Sequence, residues 1–132
     1  MNALPLTLEL AADEHSRAVG LGGRRVFAPG EDGMLFVFDT PTRNPFWNRD
    51  THLPLDLVLV DDRDRVAEII PMRALAESGG VVESYTPSKR YVIALELPRG
   101  LLAHRAVPVG ARFDVRLDGQ PVRAMVVLRW GF

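Results

Sequence analysis

Short stretches of period two dominate the hydrophobic pattern of this chain. Leu6-Thr7-Leu8-Glu9-Leu10 alternates strictly and predicts a strand with one buried face. Met34-Leu35-Phe36-Val37-Phe38 is apolar on both faces, as in a strand covered on two sides or set at the centre of a closed sheet. Leu55 to Val60 is equally apolar except for Asp56, and Tyr91 to Leu97 carries Glu96 as its one charge. Val66 to Ile70, Phe113 to Leu117 and Val122 to Trp130 read as further strands. Asp13 can cap a short helix running to about Val19, ended by Gly20, Gly22 and Gly23. Pro98 at a first helical position predicts a second helical turn through Leu102.

Turn chemistry separates these stretches. Pro29 to Gly33 is a loop, Asp61 to Asp64 closes a hairpin, and Asp118-Gly119 is the strongest hairpin signal in the chain. Pro71 to Gly80 is irregular, and Ser84 to Ser88 is a loop rich in hydroxyls. Pro54 cannot donate to a ladder, so it marks an edge, a bulge or a bend. Strands at this spacing with only two helical turns predict a mainly β fold. The expected architecture is an antiparallel sandwich or partly closed barrel, jelly-roll-like, with one or two short helices. Residues 1–132 fit one domain, given a length of 132 residues and no linker, repeat or low-complexity tract.

Composition narrows the functional classes. A net charge of −1 gives no electrostatic footprint for nucleic acid or an anionic membrane. The absence of cysteine removes thiolate nucleophiles, thiolate metal sites and disulfides together. No stretch approaches the ~20 apolar residues of a membrane span. The N-terminus lacks the basic and apolar regions of a signal peptide, so the chain as given reads as cytoplasmic; export is compatible with a leader removed upstream. Of the 16 basic residues only Lys89 is a lysine, which codon bias in a GC-rich genome explains.

The chemistry concentrates between Arg43 and Val60. Phe46 and Trp47 stand beside Asn48-Arg49-Asp50-Thr51-His52, followed by Pro54 and Asp56. Trp47 reads either as core or as a stacking platform at the mouth of a pocket, and core packing is the preferred reading. Asp50 and Asp56 form a carboxylate pair of the kind glycoside hydrolysis uses at about 5–9.5 Å, but Asp56 more simply accepts backbone N–H bonds near the Pro54 bend. Arg17 is either on a solvated helix face, the preferred reading, or an arm reaching into the site. His15, His52 and His104 show no metal-ligand spacing, although His52, Asp50 and Asp56 could converge on zinc. The acids at 61–64 lack the glycine and ligand spacing of a calcium loop. No metal and no cofactor is expected.

Several motifs recur in a known order: Arg17 to Leu21, Gly33 to Phe38, Phe46 to Thr51, Pro54 to Asp56 and Arg90 to Gly100. Together they resemble the domain of unknown function 192 family, a bacterial and archaeal group, over roughly residues 6–117. The resemblance implies the mainly β, jelly-roll-like fold and brings no catalytic residues with it. The family usually reads Trp-Met-Lys-Asn-Thr where this chain has Trp47-Asn48-Arg49-Asp50-Thr51, and His52 takes a usually aliphatic position. Residues 118–132 look like an added hairpin that covers an edge or pairs with a second copy in a homodimer.

The resulting expectation is a binding module for a small polar molecule or peptide segment, with enzymatic activity left open. Its candidate ligand-binding residues are Arg17, Trp47, Arg49, Asp50, Thr51, Asp56 and Glu96. The competing expectations are a hydrolase using Asp50 or Asp56 as general base, and a structural domain with a buried polar network and no ligand.

Overall fold

A computed structural model describes residues 1–117 and 123–131. In chain order the elements are β1 (Asn2–Ala11), α1 (Glu14–Val19), β2 (Gly33–Thr42), β3 (Phe46–Trp47), β4 (Leu55–Val60) and β5 (Val66–Met72). They continue with β6 (Ser84–Tyr85), β7 (Tyr91–Pro98), α2 (Leu101–His104), β8 (Arg112–Leu117) and β9 (Arg123–Trp130). Seven strands form one sheet in the order β5-β4-β7-β2-β1-β9-β8, and β3 pairs with β6 as a separate ribbon. The protein is thus mainly β with two short helices, as its alternating pattern predicts.

The sheet is mixed instead of wholly antiparallel. β1 and β2 run parallel, with Leu8 opposite Gly33 and Ala11 opposite Phe36, because the chain crosses over through α1 between them. Its two outer strands come together at one corner. Arg65 bridges Arg112, Val66 N–H donates to the Ala111 carbonyl at 2.8 Å, and Phe113 N–H donates to the Asp64 carbonyl at 2.8 Å. The sheet therefore curls until its edges touch there, without closing into a barrel.

Both faces of the central strands are covered, which accounts for their continuous apolar runs. On one face Leu35, Val58, Val60, Leu95 and Leu97 pack with Leu4, Leu6, Leu8, Leu102, Phe113 and Val126. On the other, Met34, Phe36, Leu55, Leu57, Leu59, Tyr91 and Ala94 pack with Leu21, Phe38 and Phe46. Burying a side chain of this size stabilises by about 1.5–3 kcal/mol, so each face contributes a full core.

Three local expectations change. Pro98 ends β7 instead of opening a helix; Gly100, at φ 83°, turns the chain, and α2 begins at Leu101. Ser84–Tyr85 is not only loop, since it pairs with Phe46–Trp47. The C-terminal strand β9 is no appendage on an edge: it is inserted between β1 and β8, which leaves β8 outermost. The Asp118-Gly119 turn signal lies outside the described residues. Among those described, no helix is long and apolar enough to cross a membrane.

Candidate functional site

Helix α1 forms because Asp13 caps it reciprocally with Ser16: the Asp13 carboxylate accepts Ser16 N–H at 2.7 Å, and Ser16 Oγ accepts Asp13 N–H at 3.3 Å. The helix buries none of its own residues, yet Arg17 reaches away from solvent. Its Nη1 donates to the carbonyls of Ala12 at 2.6 Å and Val37 at 2.9 Å, and its guanidinium carbon lies 5.2 Å from the Phe38 ring centroid. The preferred sequence reading of a solvated helix face is thereby replaced. An arm of this length can satisfy two inward carbonyls, a reach that helical periodicity alone does not reveal.

The loop after β3 is clamped from two sides. Asn48 is fully buried, and its Nδ2 donates to the Arg73 carbonyl at 3.2 Å and to Ser78 Oγ at 3.1 Å. Its Oδ1 accepts Glu83 N–H at 2.7 Å. Glu83 in turn holds Arg73 through two bonds, 3.0 and 2.7 Å, and this guanidinium pulls the Glu83 carboxyl down to about 2. Asp50 adopts φ 54°, a region asparagine and aspartate tolerate better than most residues, and its carbonyl accepts Gly23 N–H at 2.8 Å. Sequence reasoning missed Asn48 as an anchor. An amide set among aromatics is its only local signal, and its partners lie 25 to 35 residues away.

Between α1 with its glycine turn, this loop and the Phe36 and Glu96 side of β2 and β7 lies a hollow of about 860 Å³. Phe38, Phe46 and Tyr91 form a continuous aromatic wall. Phe46 meets Phe36 edge-on at 5.3 Å, Phe38 meets Tyr91 edge-on at 5.2 Å, and the Tyr91 hydroxyl donates to the Asn44 carbonyl at 2.7 Å. Burial pushes the Tyr91 hydroxyl up to about 12, so it stays a donor. Trp47, Arg49, Asp50, Thr51 and His52 also line it. Trp47 is 53% exposed, contrary to the expected core packing, and the Arg49 guanidinium lies 5.4 Å from its ring. Phe46 and Trp47 are adjacent in an extended pair, so when Phe46 turns inward Trp47 must turn out.

Glu96 lines the hollow beside Phe36. It is 5% exposed, and among the described residues its carboxylate accepts no hydrogen bond and meets no cation. Burial alone pushes its carboxyl up to about 7, with no neighbouring charge contributing. Gly20 passes beside it: φ +52° favours glycine at this position, and a Cβ there would lie in van der Waals contact with Glu96 Oε1 at 3.6 Å and Phe36 Cζ at 3.4 Å.

Of the seven residues singled out from sequence, Arg17, Trp47, Arg49, Asp50, Thr51 and Glu96 line this hollow, and Asp56 does not. Asp56 stands opposite Leu97, while its neighbour Leu57 stands opposite Glu96, so Asp56 points through the other face of the sheet. There its Oδ2 accepts Gly100 N–H at 2.9 Å. It does accept a backbone N–H, but at the turn into α2 and not at the Pro54 bend. The proposed pairing of Asp50 with Asp56 for hydrolysis, or with His52 for zinc, is defeated by this parity. Among the described residues no group of three or more histidine or acidic side chains is set to hold a metal ion.

Comparison with known proteins agrees with this architecture. Two solved structures are similar. One is a protein of unknown function from Novosphingobium aromaticivorans, 25% identical, with 83% of each chain covered and a TM-score of 0.69. The other, from Sinorhizobium meliloti, is named provisionally as a transcription regulator; it is 24% identical over 85% of this chain and 94% of its own, with a TM-score of 0.66. No curated protein matches the chain. The family model described as "Uncharacterized ACR" matches residues 1–115, and the chain belongs to that family, the domain of unknown function 192.

Proposed function

We propose that this protein is a binding module that takes a small polar molecule into the hollow beside α1. The observation that carries the reading is Glu96, a buried carboxyl without a partner among the described residues, opening onto a cavity with an aromatic wall. A carboxyl held this deep, with only the hollow to open onto, is poorly hydrated, and a bound molecule would supply the hydrogen-bond partner that the described residues do not. The volume of about 860 Å³ falls in the range of small-ligand sites. Trp47, half exposed beside Arg49, offers a stacking surface at the rim, with Asp50 and Thr51 on the same lining to fix orientation, while Arg17, held by the Ala12 and Val37 carbonyls, braces the wall.

A hydrolytic reading has one observation in its favour, again Glu96. A cleft carboxyl raised to about 7 suits general acid–base work near neutral pH. Asp56, on the far face, is no longer a candidate base.

A melting-temperature screen of the folded chain against sugars, nucleotides, phosphates, amines and metal salts tests the binding reading. At least one class should raise the melting temperature, and Trp47→Ala or Glu96→Gln should abolish that rise. If no class shifts it, the protein is better described as a structural domain.

A further inference from the structure

The charges around the hollow bear on the class of molecule it takes. Its lining carries Glu14, Asp50 and Glu96 against Arg17 and Arg49, one more acid than base when Glu96 is ionised. Both guanidiniums are already engaged. Arg17 donates to two backbone carbonyls and stacks on Phe38, and Arg49 lies over Trp47. Neither approaches the Glu96 carboxylate as a salt-bridge partner, so the innermost charge of the cavity has no counter-ion within the described chain. The surrounding surface is aromatic, and ring faces attract cations through their quadrupole. Phe38 displays that affinity in holding Arg17.

We propose that the hollow accepts a small organic cation, a primary ammonium on a compact apolar body, with its N–H donors on the Glu96 carboxylate and its carbon skeleton against Phe38, Phe46 and Tyr91. This rests on the binding reading above and names the chemistry of the ligand. Anions meet an unscreened carboxylate at the innermost point. A neutral alcohol gains a hydrogen bond there but leaves the charge uncompensated.

The arrangement also sets a pH dependence. Facing Glu96 from α1 are Arg17 and Glu14; from the loop after β3 come Arg49, Asp50 and His52; on its own strand there is Tyr91. Its cross-strand neighbours Met34 and Leu57 carry no charge. An ammonium pairs with the ionised carboxylate, whereas the empty protein holds Glu96 protonated below about 7. Affinity should therefore fall about tenfold for each pH unit below that point and level off above it. Binding below that point should release a proton.

The test is an NMR titration of the intact chain with phenethylamine and with 2-phenylethanol, its uncharged counterpart, at pH 8 and pH 6. Phenethylamine should bind more tightly than the alcohol at pH 8 and weaken at pH 6, while the alcohol should be indifferent to pH. Glu96→Gln, nearly isosteric, should weaken the amine about 10- to 100-fold at pH 8 and remove its pH dependence. A pH dependence that survives in Glu96→Gln, or vanishes in His52→Gln, would overturn the assignment to Glu96. If the alcohol, a sugar or a phosphate binds at these residues as well as the amine, the cation inference fails and the binding reading stands. If neither the two probes nor the wider compound screen perturbs the hollow, both fail.

Discussion

Asp56 on β4 and Glu96 on β7 are buried acids on neighbouring central strands, one register step apart, and the molecule treats them in opposite ways. Asp56 faces the core closed by α2, where its carboxylate accepts the Gly100 N–H at the turn into that helix. The nearby Arg99 feels its charge and is held by Glu77 through bonds of 2.8 and 3.0 Å. Glu96 faces the hollow and has none of this support among the described residues. A buried carboxylate that is bonded on arrival belongs to the fold. One left bare beside a cavity lowers stability at neutral pH, and a cost of that kind is retained most readily where it serves a ligand. The contrast comes down to side-chain parity, since adjacent positions of a strand address opposite faces.

The largest effect should be the pH dependence of stability. Glu96 titrates at about 7 in the folded protein against an ordinary 4.5, so the folded state binds a proton that the unfolded state has already lost. Stability from this group is therefore full below pH 4.5 and declines as pH rises to about 7. The decline should amount to about 3 kcal/mol. Urea unfolding across this range should show that slope in the wild type and a reduced one in Glu96→Gln, with the variant the more stable of the two at pH 8. Equal slopes would remove the distinction between the two acids.

Asp56→Ala should cost about 1 kcal/mol at pH 7, because it strands a part-buried N–H at Gly100, and should leave ligand affinity unchanged. Asp56→Asn keeps an acceptor and should recover about half of that loss, as read by the same urea experiment. If Asp56→Ala instead altered binding, the two faces would not be independent. Trp47→Ala should have the smallest effect on stability, within about 0.5 kcal/mol, because its ring is half exposed. Its effect should appear in ligand-induced melting shifts, which sharpens the separation between the hollow and the core.

The alternation around Leu8, Val58 and Leu95 carries the strands and the mainly β class in plain view, and Asp13 with Ser16 accounts for α1. The parallel partnership of β1 with β2 and the insertion of β9 between β1 and β8 depend on pairings across the whole chain, which local pattern does not encode. The same limit governs the site. Within β7 the parity of Glu96 is evident, but the face it shares with the Trp47 loop becomes known only when Leu57 is seen opposite it. Grouping Asp56 with Asp50 by proximity in sequence fails for this reason. From sequence Trp47 reads as core because its large ring is usually buried; the inward turn of Phe46 decides otherwise.

Selective carbon-13 labelling of glutamate and a carboxyl NMR titration of the ligand-free chain follow Glu96 itself, with Glu96→Gln identifying its resonance. A midpoint close to 7 is the predicted result. A midpoint near 4.5 would mean that the carboxyl is solvated or paired, and the contrast with Asp56 would collapse.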